Sequence, residues 1–498
     1  MKKHLSILVG AGLCCSLPSL SRAEAPDRAL SLGGYARVMT RPDLSGGDGR
    51  LGYWNLYGRL LNEGPWLALE MRLKLQPGRA ERGDTTSALH VKMEGGSITG
   101  ADHGGGHLES YRVSQLYLNT SNSLAPGLSL RMGTLHHWFG DLGLYDFRPG
   151  ELFVGAVGAA ARLQRGPWDL QLGLGDAGFA LRPQNYHSVL VGGGSLRRRF
   201  ANRHVVGLGG VYRFEPEVTG NPYAPHRTPG VDVEDWLRGR VVERYFMETP
   251  GDQNDFPRPE AQSASSFKLL AYLGLGKIGY LNWNHLYLTL EKAHPDHSTT
   301  ETYQGDSVRI YLGDLTDERE SITLSNEMHF TLLPGRLDGA WAFYLSRRRD
   351  GDNDVAPSDY DMDLASTVLR LQSQVARQVL LLLESSVALE RSIQGNRYRA
   401  RADSIFSSDS GRHDLEGLEY GDLSERRTWQ LKFGPVVNPR GFGIFSRPSF
   451  RMLYGVQYST QNLAYGHQLV ESLAADNRFP PVERHWHHLG ALEVEAWF

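Results

Sequence analysis

The chain predicts a transmembrane antiparallel β-barrel. Three features carry the prediction: a strictly alternating C-terminal strand that ends on an aromatic residue, an export leader at the other end, and no long apolar run in between. In the last ten residues, Leu492, Val494, Ala496 and Phe498 share one face, while Glu493, Glu495 and Trp497 share the other. Successive side chains on a strand point to opposite sides, so this pattern sets an apolar outside against a wet inside, as a lipid-facing barrel strand does. A half-buried edge strand of a soluble sheet alternates in the same way.

The N-terminus narrows that choice. Met1-Lys2-Lys3-His4 is a basic head, Leu5 to Leu17 is a short apolar core, and Ser21-Arg22-Ala23 offers small residues for cleavage, so residues 1–23 are expected to be a removed signal peptide. Residues 24–498 then form a single exported barrel domain, placed in the outer membrane of a Gram-negative cell. Cys14 and Cys15, the only cysteines, fall in the leader, which leaves the mature chain without disulfides or cysteine metal sites. Gly12-Leu13-Cys14 fits a lipoprotein signal poorly.

The composition contains 57 Gly, 22 Tyr, 18 Phe and 10 Trp, and no apolar run after the leader is long enough for a spanning helix. With 53 Lys+Arg against 56 Asp+Glu and a net charge of −3, the chain carries no basic footprint for nucleic acid. Alternating segments recur at Ser129–Met132, Leu170–Leu174, His285–Glu291, Val308–Leu312, Ile322–Asn326 and Phe450–Tyr454. Short turns at Pro126-Gly127, Gly166-Pro167 and Pro334-Gly335-Arg336 separate some of them, and long polar stretches such as Glu215 to Ser266 and Asn396 to Arg426 separate others. Short turns at one end and long loops at the other are the layout of an outer-membrane barrel. The run Leu380-Leu381-Leu382-Leu383 could continue a helix, but it reads better as a turn near Arg377 followed by a strand.

Near the mature start, Gly34-Tyr35-Ala36-Arg37 puts Tyr35 and Arg37 on one side of a strand. An aromatic ring can lie against the apolar face of a sugar while a guanidinium donates to its hydroxyls. An interface tyrosine beside a field-setting arginine would give the same pair. Together with Arg59-Leu60-Leu61-Asn62-Glu63, Asp141, Asp146-Phe147, Phe445-Ser446-Arg447-Pro448 and the closing Glu495-Ala496-Trp497-Phe498, this segment resembles the maltoporin family of sugar-specific porins, in the same order from end to end. The stretch from Glu215 to Ser410 matches only in strand rhythm.

The resemblance implies an eighteen-stranded barrel in a homotrimer, surrounded by outer-membrane lipid, with a third loop folded into each pore. It implies saccharide solutes passing along a slide of aromatic rings and a parallel polar track. The matching slide positions are Tyr35 and Trp497, with Trp66 one residue from a third and Trp283 or Tyr287 as another; the track positions are Arg37, Arg59 and Arg112, with Asp141 and Asp146 on the constriction loop. The chain also departs from the pattern. Phe139 stands where the family has an arginine and Arg148 where it has the constriction tyrosine, the second loop (Lys92 to His107) lacks a tryptophan, and Ser366 replaces a slide aromatic. Passage of sugars with modest affinity follows, with no commitment to maltodextrin.

No enzyme and no cofactor is expected. Asp361 with Asp363, or Glu493 with Glu495, sit at i, i+2 and form a like-charged wall, unlike an acid/base pair flanking a bond. His103, His107, His136-His137 and His485-Trp486-His487-His488 lack an obvious carboxylate or thiol partner for a metal. Two other readings stay open: a general or anion-preferring pore, if Arg37, Arg59, Arg112 and Arg148 all face the lumen, and an exported soluble β-protein that binds or cuts polysaccharide.

Overall fold

The structure, a computed structural model, describes residues 29–42, 44, 55–76, 83–96, 112–137, 139–181, 188–216, 263–293, 298–303, 306–311, 319–350, 362–392, 425–460 and 484–498. The expected leader 1–23, most of the expected second loop and the long stretches at 217–262 and 393–424 lie outside them.

Eighteen strands form one antiparallel sheet that closes on itself. Closure runs between the first strand (Leu30–Thr40) and the last (Trp486–Trp497), with Tyr35 opposite Trp497, Arg37 opposite Glu495 and Val38 opposite Val494. The last strand also pairs with Ser449–Ser459, so it is not an edge, and a sheet without edges can cross a bilayer with its backbone satisfied.

Alternation decides which side chains face lipid. In the strand Trp168–Asp176, Leu170, Leu172 and Leu174 are exposed on the outside, while Asp169 and Gln171 are buried inside. The same holds at the C-terminus, where Leu492, Val494 and Phe498 face out and Glu493 and Glu495 are buried. An outward apolar belt around a closed sheet makes the chain a multi-pass barrel of the outer membrane and rules out the soluble polysaccharide-binding alternative. Residues 377–378 form the expected turn between Met362–Ala376 and Val379–Ser392. The leucine run beyond it splits: Leu381 and Leu383 face out, while Leu380 and Leu382 pack inward with Leu60, Leu61, Val436 and Leu453. The segment at Val308 differs from expectation, because Asp306–Tyr311 pairs only with Ser298–Tyr303, in a two-stranded sheet apart from the barrel.

The lumen is not uniformly polar. The connection 135–156 folds inward and brings Leu135, Phe139, Leu142, Leu144, Leu152 and Phe153 into a buried cluster with Tyr272, Tyr287, Ala340 and Val368 of the wall. Residues 55–64 also fold inward, and the two segments meet where the Arg59 N–H donates to the Leu144 carbonyl at 2.8 Å. Buried wall groups anchor both. Glu327 accepts from the Leu144 N–H at 2.8 Å, Lys432 donates to the Tyr57 carbonyl at 3.1 Å, and Arg426 donates to the Tyr57 hydroxyl at 2.8 Å. Lys432 is itself held by Glu384 at 3.0 Å, and Glu384 also binds Arg370.

Glycine makes room for the inward segment. A Cβ on Gly207 would lie 2.2 Å from the Phe139 ring, and one on Gly209 would lie 2.8 Å from Leu152. Gly207→Val should therefore cost about 1–3 kcal/mol through overpacking and push residues 135–156 away from the wall. The expected result is a lower urea midpoint and a larger single-channel conductance from a barrel that still migrates as a folded band. An unchanged conductance would show that Phe139 does not hold the segment in place.

Candidate functional site

Above the seam between the first and last strands lies a cavity of about 690 Å³, bounded by the wall, the two inward segments and the connection 438–448. Nine of the twelve predicted site residues line it: Tyr35, Trp66, Trp283 and Trp497; Arg37 and Arg59; and Asp141, Asp146 and Arg148.

The other three do not. Tyr287 is fully buried beneath the inward segment, its ring 3.2 Å from where a Cβ on Gly150 would sit, so it packs under that segment and does not face the cavity. Phe139 also turns into the core, tilted against Tyr272 at 5.3 Å and covered by the Arg197 guanidinium at 4.2 Å. Arg112, exposed at the start of the strand Arg112–Ser121, is not among the cavity-lining residues.

The cavity contains residues that sequence reasoning did not assign to it. Lys92 and Glu94 belong to the strand Thr86–Gly96, which continues past the point where the second loop was expected to begin. Phe147 and Phe445 add rings, and Glu63, Glu151, Glu327, Arg370, Arg447 and Glu495 add charge. Glu63, Phe445, Arg447 and Glu495 all stand in the segments that resemble the maltoporin family, so the sequence carries a signal for each of them. His285 and Glu327 had only strand alternation to mark them. Ser366 is buried and bonds both inward segments, meeting the Tyr145 hydroxyl at 3.1 Å and donating to the Leu56 carbonyl. An aromatic side chain at that place would displace both.

Charges on the cavity wall are closely matched, with six cationic and seven carboxylate side chains. Glu495 is fully buried and accepts from the Tyr35 hydroxyl at 3.0 Å, while Arg447 at 2.6 Å, Arg451 at 2.7 Å and Arg59 surround it. Glu493, the other half of the expected like-charged wall, is paired with Arg451. Arg37 pairs with Glu63 and donates to the Gly64 carbonyl at 2.8 Å, and Arg148 lies 3.5 Å from Asp141. The Arg447 guanidinium sits 5.7 Å from the Trp497 ring centre, and the Trp497 indole N–H is buried without a partner among the described residues. Trp283 stands 5.9 Å from Phe445, and both line the cavity.

Three carboxyls of the inward segments differ in acidity. Burial, and after it the neighbouring Asp146 carboxylate, pushes Glu63 up to about 7. Burial also raises Asp141, to about 6, although Arg148 opposes it. Burial acts upward most strongly on Asp146 as well, but Arg59, a hydrogen bond with Glu63, Arg37 and Arg148 together hold that carboxyl below the usual range.

The histidines have partners within the protein. His136 contacts Glu151 at 3.3 Å, His137 contacts Ser195 at 2.6 Å, and His488 contacts Tyr454 at 2.5 Å. His103, His107 and Asp361 lie outside the described residues, and Asp363 pairs with Arg349 at 2.8 Å.

The chain matches no family model and no curated protein. Among solved structures it is similar to OprD of Pseudomonas aeruginosa, at 8% identity over 94% of this chain and 94% of that one, with a TM-score of 0.40. It is also similar to the anion-selective porin from Comamonas acidovorans, at 8% identity over 94% and 99% of the two chains, with a TM-score of 0.39. OmpT, an outer membrane protein of Vibrio cholerae, matches at 8% identity over 94% and 97%, with a TM-score of 0.37. The likeness is to the barrel and carries no argument about the solute.

Two outcomes follow from the charge arrangement. Glu495→Gln leaves three arginines without their shared carboxylate and should destabilise the barrel by about 3–5 kcal/mol, read as a lower midpoint for urea unfolding in lipid. As pH rises from about 5 to about 8, Asp141 and then Glu63 lose protons, because both carboxyls are raised into that window. The cavity gains negative charge, so the cation-to-anion permeability ratio should rise with pH, and Asp141→Asn with Glu63→Gln should flatten the profile.

Proposed function

We propose that the protein is a passive outer-membrane channel that prefers saccharides, exported by the leader 1–23 and assembled as a homotrimer. The observation that carries the sugar preference is the cavity wall, where Tyr35, Trp66, Trp283 and Trp497 stand among cations and carboxylates in nearly equal number. Rings offer flat apolar surface to a pyranose, and paired charges exchange hydrogen bonds with hydroxyls without creating a field of one sign. Many weak contacts of this kind let a neutral polyol bind and still leave. The trimer and the division into slide and track rest on the resemblance to maltoporins.

The anion-preferring alternative drew on Arg37, Arg59, Arg112 and Arg148. Three of these line the cavity, each beside a carboxylate: Glu63, Glu495 and Asp141 respectively. This pairing supports the neutral-solute reading over a general or anion-preferring pore.

Single-channel recording of the refolded protein, titrated with sucrose, maltose and maltodextrins, tests the proposal. Saturable block by a sugar is expected, and Trp497→Ala should weaken that block by about tenfold, the loss of one ring contact and one N–H donor, while ion conductance stays nearly constant. A channel that conducts but that no sugar blocks would refute the saccharide preference.

A further inference from the structure

A second region of the lumen has a different electrostatic character. On the wall formed by the strands Trp66–Gln76, Thr86–Gly96, Arg112–Ser121 and Leu128–Thr134, register places Arg72 opposite His90 and His90 opposite Tyr117. The His90 and Tyr117 rings stack at 4.6 Å with only 11° between their planes, and the Arg131 guanidinium lies 4.2 Å above Tyr117. These side chains alternate with the outward Leu69, Met71, Leu118, Leu130 and Met132, so they face the lumen. None of them lines the cavity.

The wall continues through Arg162, Arg197 and Arg199. Against these five guanidiniums stands Asp169, which Arg162 grips through two hydrogen bonds, at 2.7 and 2.5 Å, and which Arg199 approaches to 3.7 Å. Arg72 has no hydrogen-bond or ion-pair partner among the described residues, and Arg131 donates only to the His136 carbonyl, at 2.8 Å. Arg131 and Arg162 repel each other, and Arg72 and Arg131 both act on His90. Glu70, the next inward residue before Arg72, falls within the fields of Lys92, Glu94 and Arg148.

We propose that this wall, at the short-turn end of the lumen, is an anion-binding shelf, with Arg72 and Arg131 holding a phosphate or carboxylate that is free or carried by a solute. Two guanidiniums, Arg72 and Arg131, that have no carboxylate partner among the described residues and stand beside stacked rings concentrate anions and offer them N–H donors, whereas the matched cavity does not. The tyrosine and histidine fix the direction in which Arg131 points, so the site is organised before the anion arrives. The location makes it a second solute site, on the route to or from the cavity, and the assignment rests on the channel reading.

Calorimetric titration of the detergent-solubilised full chain with inorganic phosphate, beside recordings with phosphate and with maltose, tests the shelf. Arg72→Gln with Arg131→Gln should weaken phosphate binding by at least about tenfold, the loss expected when charge-assisted hydrogen bonds are removed, and should leave maltose block unchanged. Arg72→Gln alone, at an exposed position, gives a second reading should the double variant fail to fold. Tighter binding of a sugar phosphate than of phosphate would assign the anion to a solute, and equal binding would assign it to the free ion. Phosphate binding that is absent, or equal in parent and variants, overturns the shelf. A parent channel that no sugar blocks but that binds phosphate through Arg72 and Arg131 would overturn the saccharide reading and leave the shelf standing.

Discussion

Glu495 is the carboxylate on which the architecture of the cavity turns. It belongs to the strand that closes the barrel, it is fully buried, and it faces Arg37 across the seam. Its oxygens bind the Tyr35 hydroxyl of the first strand, Arg59 of an inward segment, Arg447 of the connection 438–448 and Arg451 of the neighbouring strand. One side chain therefore joins the two ends of the sheet to the inward segment 55–64 and to the connection 438–448. A buried charge is costly unless it is paired and hydrogen-bonded, and here the pairing fixes the positions of the guanidiniums that line the cavity.

The inward segments narrow the lumen by forming a small hydrophobic core inside a membrane barrel. Phe139, Leu152 and Phe153 rest on a wall that is glycine-rich where they touch it, at Gly207, Gly209 and Gly173. The absence of side chains on the wall creates the depression that the loop fills. Opposite, the wall is polar, and Glu327, Lys432, Arg426 and Ser366 satisfy backbone and hydroxyl groups of the segments. Apolar packing on one side and hydrogen bonds on the other hold the loop against water, so the cavity has firm boundaries.

The barrel was legible because its signal is local. Alternation over a few residues determines the face, as Leu492, Val494 and Phe498 show, and the turn at 377–378 follows from the same rule. The site was legible where its residues stand in the family-like segments at the seam, which is why Tyr35, Arg37, Arg59 and Trp497 were assigned to the region they occupy. It was not legible where a side chain's direction depends on a distant partner. Phe139 could have faced the pore until Gly207 and Arg197 drew it into the wall, and Tyr287 alternates inward correctly yet lies under Gly150. Sequence reasoning reads inward as pore-facing, and a plugged lumen breaks that equivalence.

The distribution of charge in the lumen follows from the same plugging. Where 55–64 and 135–156 approach the seam, Arg37, Arg59 and Arg148 each meet a carboxylate delivered by one of the segments or the seam: Glu63, Asp146 with Glu495, and Asp141 respectively. On the wall at the short-turn end, Arg162 and Arg199 share Asp169, while Arg72 and Arg131 have no carboxylate partner among the described residues. Charges left unpaired in a partly desolvated channel act over a longer range than paired ones. A solute on this path meets an attracting field of one sign in one region and a matched, ring-lined surface in the other, so its charge and its shape are read at separate places along one lumen.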